Sequence, residues 1–362
     1  MTPAMHISLL VPAPFHTVSG GYRYDGRIVG GLRAMGHAVD VVALPGSFPI
    51  TDDIARDAAC LAWDRIPAGS IPVIDGLALP AFAGLDDALT SRGTVALIHH
   101  PVSFETGLQD TERNALRAIE HRLFSCLARL ICTSEPTADS LVKDFRVARD
   151  AVHVVVPGTD DAPRCRESVI STCRILSVGT LVPRKGHDVL LRALARLFDL
   201  DWHLTIVGSP QRDPVHARGL AALAEQMGIA QHVSFAGEVA DDALETLWQS
   251  SDLFALATYF EGYGMAVAEA LKRGLPAVVT GGGAAGALVA PEAGCVCPVG
   301  DVDQVSKSLR RLIFGRDLRR EMGEAAWRIG QELPSWEAQA TLFAQMLRGG
   351  VPNISEQSSS AA

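Results

Sequence analysis

Short β-branched runs alternate with amphipathic stretches along nearly the whole chain. The alternation breaks once, over residues 159–173, and then starts again. In the first stretch, strands are predicted at 6–11, 39–44, 71–74, 94–99, 130–133 and 152–156. Helices follow Ser19-Gly20-Gly21, cover 111–129, and start after Ser134, with Pro136 in the first turn. The stretch 45–70 has no clear period. After the break, strands are predicted at 174–178, 204–207, 233–235, 253–257 and 277–280. Helices are predicted at 187–198, 215–227, 242–249, 264–273, 301–314, 317–329 and 335–347. Strands that alternate with helices call for a parallel sheet covered on both faces. A restart behind a polar linker calls for two such sheets. The expected fold is α/β, with two doubly wound Rossmann-like domains facing a cleft. Domain one covers 1–165, domain two covers 170–333, and a flexible tail covers 351–362. In doubly wound folds ligands lie beyond the carboxyl ends of the strands, so the loops that follow strands are where function is sought.

Composition excludes several classes. With 48% hydrophobic residues the chain is not disordered over most of its length. A net charge of −9 disfavours a nucleic-acid binder, which needs a positive surplus. Mean hydropathy is +0.18, but the longest uncharged apolar stretch, 275–291, contains Pro276 and Gly281-Gly282-Gly283 and does not suit a spanning helix. No basic leader precedes the first strand, and the seven cysteines lack zinc-site spacing. They read as reduced buried thiols of a cytoplasmic protein.

Two segments carry chemistry. In 177–187 a predicted strand empties into a loop bearing Arg184 and Lys185, and a helix follows at once. Helix-start N–H groups beside two cations suit a phosphate. The other reading is a solvated basic pair beside an ordinary turn, and local sequence does not choose. In 260–270 a second strand–loop–helix carries Glu261 and, eight residues on, Glu269, with Gly262 and Gly264 between them. Carboxylates accept hydrogen bonds from neighbouring hydroxyls, so this pattern suits a ligand with hydroxyls at both ends and phosphate between them, such as a nucleotide sugar. Glu269 on a solvated helix face is the alternative, which its neighbours Ala266, Val267, Ala268 and Ala270 weaken.

These two segments, with Gly274-Leu275-Pro276, Gly281-Gly282-Gly283, Gly294 and Gly300-Asp301, resemble glycosyltransferase family 4 over 170–330. Those are retaining enzymes of GT-B fold. The N-terminal half matches more loosely, through Gly20-Gly21, His99, Thr133-Ser134 and Pro157-Gly158-Thr159-Asp160. The resemblance implies that Arg184 and Lys185 hold the donor diphosphate; Thr180 stands where many members have a further arginine. It implies that Glu269 accepts ribose hydroxyls. Glu261 is implied to contact the donor sugar, helped by backbone N–H groups of Gly262, Tyr263, Gly264 and Met265. Gly20 and Gly21 let the first loop approach the donor or the acceptor. His99 is implied to approach the transferred sugar, with an exchange of roles with His100 left open and Glu105 a further candidate at the acceptor. The resemblance also implies that the C-terminal helix, about 334–350, crosses back to the first domain. Its Trp336, Ala340, Phe343 and Leu347 recur at helical spacing, as ordinary core residues do.

The activity implied is transfer of a hexose from a nucleoside-diphosphate sugar, UDP-glucose or GDP-mannose being ordinary choices, to an unidentified hydroxyl acceptor. Neither a metal nor another cofactor is expected. Asp301-Val302-Asp303 has the letters of a metal motif but opens a helix, where acidic caps belong. The alternatives are a nucleotide-sugar epimerase and a non-catalytic nucleotide-sugar-binding protein of the same fold. Helix 111–129 carries Arg113, Arg117, Arg122 and Arg129 interleaved with Glu112 and Glu120. It reads as a solvated face, which leaves peripheral membrane contact open.

Overall fold

The structure, a computed structural model, describes residues 3–17, 19–165 and 171–349. The expected tail lies outside the described residues, as does 166–170 within the linker. The chain divides into two compact units, 1–158 with 336–362, and 159–335.

The first unit runs β1 (His6–Pro12), α1 (Gly20–Ala34), β2 (Ala38–Leu44), α2 (Asp53–Arg65), β3 (Ile71–Asp75), α3 (Asp86–Ser91), β4 (Val95–Ile98), α4 (Asp110–Phe124), β5 (Arg129–Cys132), α5 (Glu135–Phe145) and β6 (Val152–Val154). Its six strands pair in the order β2-β1-β3-β4-β5-β6, every pair parallel. The central strands are buried on both faces, as parallel sheets covered by helices are. Strand order reverses at β1: β2 lies to one side, β3 and its successors to the other.

The second unit runs β7 (Cys173–Val178), α6 (His187–Leu194), β8 (Trp202–Val207), α7 (Pro214–Gln226), β9 (Val233–Gly237), α8 (Asp241–Gln249), β10 (Leu253–Leu256), α9 (Met265–Lys272), β11 (Ala277–Thr280), β12 (Gly294–Cys297), α10 (Val302–Phe314) and α11 (Arg316–Glu332). Its order is β12-β11-β10-β7-β8-β9, again all parallel. Here the order reverses between β7 and β10.

Helix α12 (Trp336–Arg348) belongs to the first unit. Ala340, Phe343 and Leu347 are buried in its core, as their spacing predicts. Gly31 of α1 lies so close to Ala340 that a Cβ there would meet it at 2.3 Å. Trp336 sits edge-on to Tyr24 at 5.9 Å between ring centroids.

Three expectations change. The stretch without a period contains α2, which buries only Ala55, Ala59 and Trp63; two alanines give a faint apolar stripe. Of the seven free cysteines only Cys132, Cys173 and Cys297 are buried, and Cys60 is exposed. Glu120, expected on a solvated face, is buried at 2% exposure. Among the described residues no helix is long and apolar enough to cross a membrane.

Candidate functional site

In the second unit the two signalled segments meet at the reversal of strand order, where doubly wound sheets open a crevice. The loop after β7 makes a 3-10 turn over Pro183–Lys185 and passes Gly186 into α6. Gly186 has φ +62°, and a Cβ on it would lie 1.9 Å from the Ala257 carbonyl oxygen. Only glycine lets this loop lie against the end of β10. The loop after β10 ends at Gly264, φ +106°, which starts α9.

Contact between the loops is ionic and backbone-directed. Lys185 Nζ lies 2.5 Å from Glu261 Oε1, and Arg184 Nη1 lies 3.7 Å from the same oxygen. Arg184 also donates to the Phe260 carbonyl at 2.7 Å. Thr258 Oγ1 lies 3.2 Å from Glu261 Oε1 and 2.9 Å from the Arg184 carbonyl. Burial pushes the Glu261 carboxyl up, but Lys185 and Arg184 outweigh it and hold it below its ordinary value. Two cations therefore sit on one ionised carboxylate beside the positive end of α9. His187, at the first residue of α6, is pushed down to about 4 by burial and stays neutral. Its Nε2 lies 3.3 Å from the Gly179 carbonyl oxygen, which ties the start of the cationic loop to its end.

Glu269 is half-buried on α9, and its carbonyl accepts from Arg273 at 3.1 Å. Tyr263 is buried, and burial pushes its hydroxyl up to about 12. Gly262, Tyr263, Gly264 and Met265 form the turn into α9. Asp301 caps α10 by accepting from Gln304 N at 3.0 Å, and Asp303 pairs with Arg196, so both acids have structural duties.

The first unit builds its own cluster at its strand-order reversal. His99 follows β4. Gly20 and Gly21 open α1, and a Cβ on Gly21 would lie 3.2 Å from the His99 ring. His99 Nε2 lies 3.0 Å from Asp25 Oδ1 and 3.4 Å from Asp75 Oδ2. Both carboxylates are buried. Burial alone would push the imidazole down, but Asp25 and Asp75 raise it well above its ordinary value. Tyr24 stands edge-on to His99 at 5.4 Å and donates to the Val155 carbonyl at 2.9 Å. Ligand atoms of Asp25, Asp75 and His99 lie within 4.8 Å of one another, a group that could also hold a metal ion. The short contacts from one ring nitrogen to two carboxylates suit a protonated histidine. His100 is separate: its Nε2 lies 2.9 Å from Glu105 Oε1. Asp25 and Asp75 are residues that sequence reasoning missed. An aspartate on a helix preceded by glycines and another ending a strand carry no local signal of a shared partner.

Residues 172–328 match the model of the family described as glycosyl transferases group 1. The chain is 28% identical over 264 residues to the MMP alpha-(1->4)-mannosyltransferase of Mycolicibacterium hassiacum, covering 68% of this chain and 62% of that protein. The match therefore spans less than two thirds of that relative's length. Sucrose-phosphate synthase from Thermosynechococcus elongatus superposes with a TM-score of 0.81 at 18% identity, covering 95% and 98% of the two chains. Anabaena HepE, solved in complex with UDP and glucose, superposes with a TM-score of 0.75 at 16% identity over 95% and 99%. At these identities the likeness is one of fold, two doubly wound α/β units of the GT-B kind.

Proposed function

We propose that this chain, which belongs to the GT4-like group 1 glycosyl transferases, moves a hexose with retention from a nucleoside-diphosphate sugar to a hydroxyl acceptor, without a metal. The observation that carries the reading is the meeting of Arg184, Lys185 and Glu261 beside the start of α9. A diphosphate competes with Glu261 for the two cations. Once Lys185 turns to phosphate, the Glu261 carboxylate is released to accept hydrogen bonds from sugar hydroxyls. Bond breaking at the anomeric carbon leaves a nucleoside diphosphate, whose growing charge Lys185, Arg184 and the α9 N–H groups would stabilise. The leaving phosphate then takes the acceptor proton on the same face. His99, held cationic in the first unit, would contact the transferred sugar.

The donors to try first are UDP-glucose and GDP-mannose. The chemistry to look for is release of UDP or GDP that requires an added acceptor pool. A thermal-shift panel of nucleotides and nucleotide sugars would choose the donor, and mass spectrometry of an extract incubated with it would find the product. Binding with no turnover in any acceptor pool would leave a binding protein instead. Turnover to an isomeric nucleotide sugar would mark an epimerase.

Glu269 is assigned to the ribose. Glu269→Ala is expected to weaken binding of the free nucleoside diphosphate by about 10- to 100-fold, the worth of hydrogen bonds to a charged acceptor. Titration calorimetry measures it, and unchanged affinity would sink the assignment.

A further inference from the structure

Helix α4 holds the loop that follows His99 with two side chains of opposite charge. Glu120, buried at 2% exposure, accepts from two successive backbone N–H groups, Val102 at 2.6 Å and Ser103 at 3.1 Å. Two turns earlier on the helix, Arg113 donates to the carbonyls of Ser103 at 3.1 Å, Glu105 at 3.2 Å and Leu108 at 3.3 Å. An anion takes the N–H groups and a cation takes the C=O groups, so five backbone groups of one loop are satisfied by one helix face. Such charge-assisted bonds are roughly twice as strong as neutral ones. Within the loop, Glu105 reaches back to His100, and Thr133 donates to the His99 carbonyl at 3.2 Å. Pro101 and a 3-10 turn over Val102–Phe104 link these anchors.

We propose that Glu120 and Arg113 are positioning residues that fix the 99–108 loop, and with it His99, His100 and Glu105, in the arrangement the transfer reaction uses. The proposal rests on the glycosyl-transfer reading. It assigns the buried Glu120 and the half-buried Arg113 of α4 to the site, where their interleaved pattern suggests a solvated face. The clamp is also proton-sensitive. Burial pushes the Glu120 carboxyl up to about 7, against weaker downward pulls from Ser103, side chain and N–H, from the Val102 N–H and from Arg117. The charged groups around it are Arg113 and Arg117 on its own helix and, on α5, Asp144, which pairs with Arg117. The 3-10 turn Leu79–Phe82, also against α4, brings no charge. As pH falls through 7 the carboxyl takes a proton and one oxygen stops accepting. Protonation nonetheless favours the closed loop and the folded chain, because a raised carboxyl contributes stability below its unfolded value of 4.5 and loses that contribution as pH rises through 7.

The test compares the wild-type chain with Glu120→Gln and Arg113→Lys by hydrogen exchange over 100–109 at pH 7.5. Exchange is expected to quicken about tenfold in both variants, while β4 and the rest of α4 change little. In the wild type, exchange corrected for its intrinsic chemistry is expected to slow between pH 8 and pH 6, because opening returns the Glu120 carboxyl to water, and Glu120→Gln is expected to lose that dependence. Acceptor-dependent release of UDP from UDP-glucose, or of GDP from GDP-mannose, is expected to fall about 10- to 100-fold in both variants. Affinity for UDP or GDP is expected to stay within a factor of two. Arg113→Lys keeps the charge and loses the fork, so it still reports if Glu120→Gln fails to fold. Unchanged exchange over 100–109 overturns the clamp. Faster exchange with undiminished turnover overturns its role in the reaction. A wild type that turns over neither donor defeats the glycosyl-transfer reading instead, and the exchange data still decide the clamp.

Discussion

Lys185→Ala is expected to lower kcat by about 100- to 1,000-fold, the usual loss when one group stabilising a developing oxyanion is removed. KM for the donor is expected to move far less, because Arg184 and the start of α9 still hold the diphosphate in the ground state. The same substitution strands Glu261. That carboxylate is buried, and with Lys185 gone its remaining partners are Arg184 at 3.7 Å and Thr258 at 3.2 Å. Removing one partner of a buried pair costs about 3–5 kcal/mol, so a loss of folding stability accompanies the loss of rate. The two effects can be separated. Lys185→Met combined with Glu261→Gln removes both charges and is expected to recover most of the stability and none of the turnover. Steady-state kinetics and thermal unfolding on the same three proteins measure this, and a wild-type turnover number for Lys185→Ala would remove Lys185 from the mechanism. The sign of the pH effect is also set. A carboxyl held below its unfolded value contributes stability above pH 4.5 and loses it as pH falls through the lowered value. Lys185→Ala is therefore expected to remove the share of acid sensitivity that Glu261 contributes, which unfolding curves between pH 3 and pH 6 would register as a shallower decline.

The second-unit site was legible because its residues are local. Each of its two segments is one strand, one loop and one helix start, so periodicity places Arg184 and Lys185 after β7 and Glu261 after β10. What local reading left open was whether the basic pair was solvated, and Glu261 decides it: the counterion that buries Lys185 lies 76 positions away. The first-unit cluster was legible at His99 and at Gly20-Gly21, and not at its carboxylates. Asp25 is 74 positions from its histidine, and Asp75 ends a different strand. No spacing rule joins them; the order β2-β1-β3-β4 does, by setting the ends of β3 and β4 beside β1 and the helix α1 that follows it. Glu120 was misread for a related reason. Its helix has arginines on the same face, and mixed charge is the ordinary mark of a solvated surface. The unfilled backbone groups of the loop that leads into the helix make that face an interior one. Helix α2 shows the same limit at lower stakes, since alanines facing a core look much like alanines facing water.

Asp25→Asn is expected to have its largest effect on the charge of His99. In the wild type, Nε2 stands between two carboxylates, and Asp25 contributes most to raising the imidazole. A histidine raised above its unfolded value of 6.5 contributes stability that is fully present below that pH and is lost as pH rises through its folded value. Wild-type stability should therefore decline from neutral into alkaline pH. Asp25 adds a decline of the same sign at lower pH: burial raises its own carboxyl to about 6, so its contribution is present below 3.8 and lost as pH rises through about 6. With asparagine in place the nearer charge is gone, Asp75 at 3.4 Å is the remaining carboxylate, and the alkaline decline is expected to flatten. Asp25→Ala removes the hydrogen bond as well and is expected to cost about 3–5 kcal/mol, as breaking a buried pair does. The direct measurement is the carbon-bound ring proton of His99 by NMR, assigned with His99→Gln. In the wild type its shift should stay that of imidazolium through pH 8, and in Asp25→Asn it should titrate at least one unit lower. A wild-type His99 that titrates below 7 would show that the ring is neutral where the sugar would bind. His99 would then be a neutral hydrogen-bonding group, and the charge it was given in the transfer step would have to come from elsewhere.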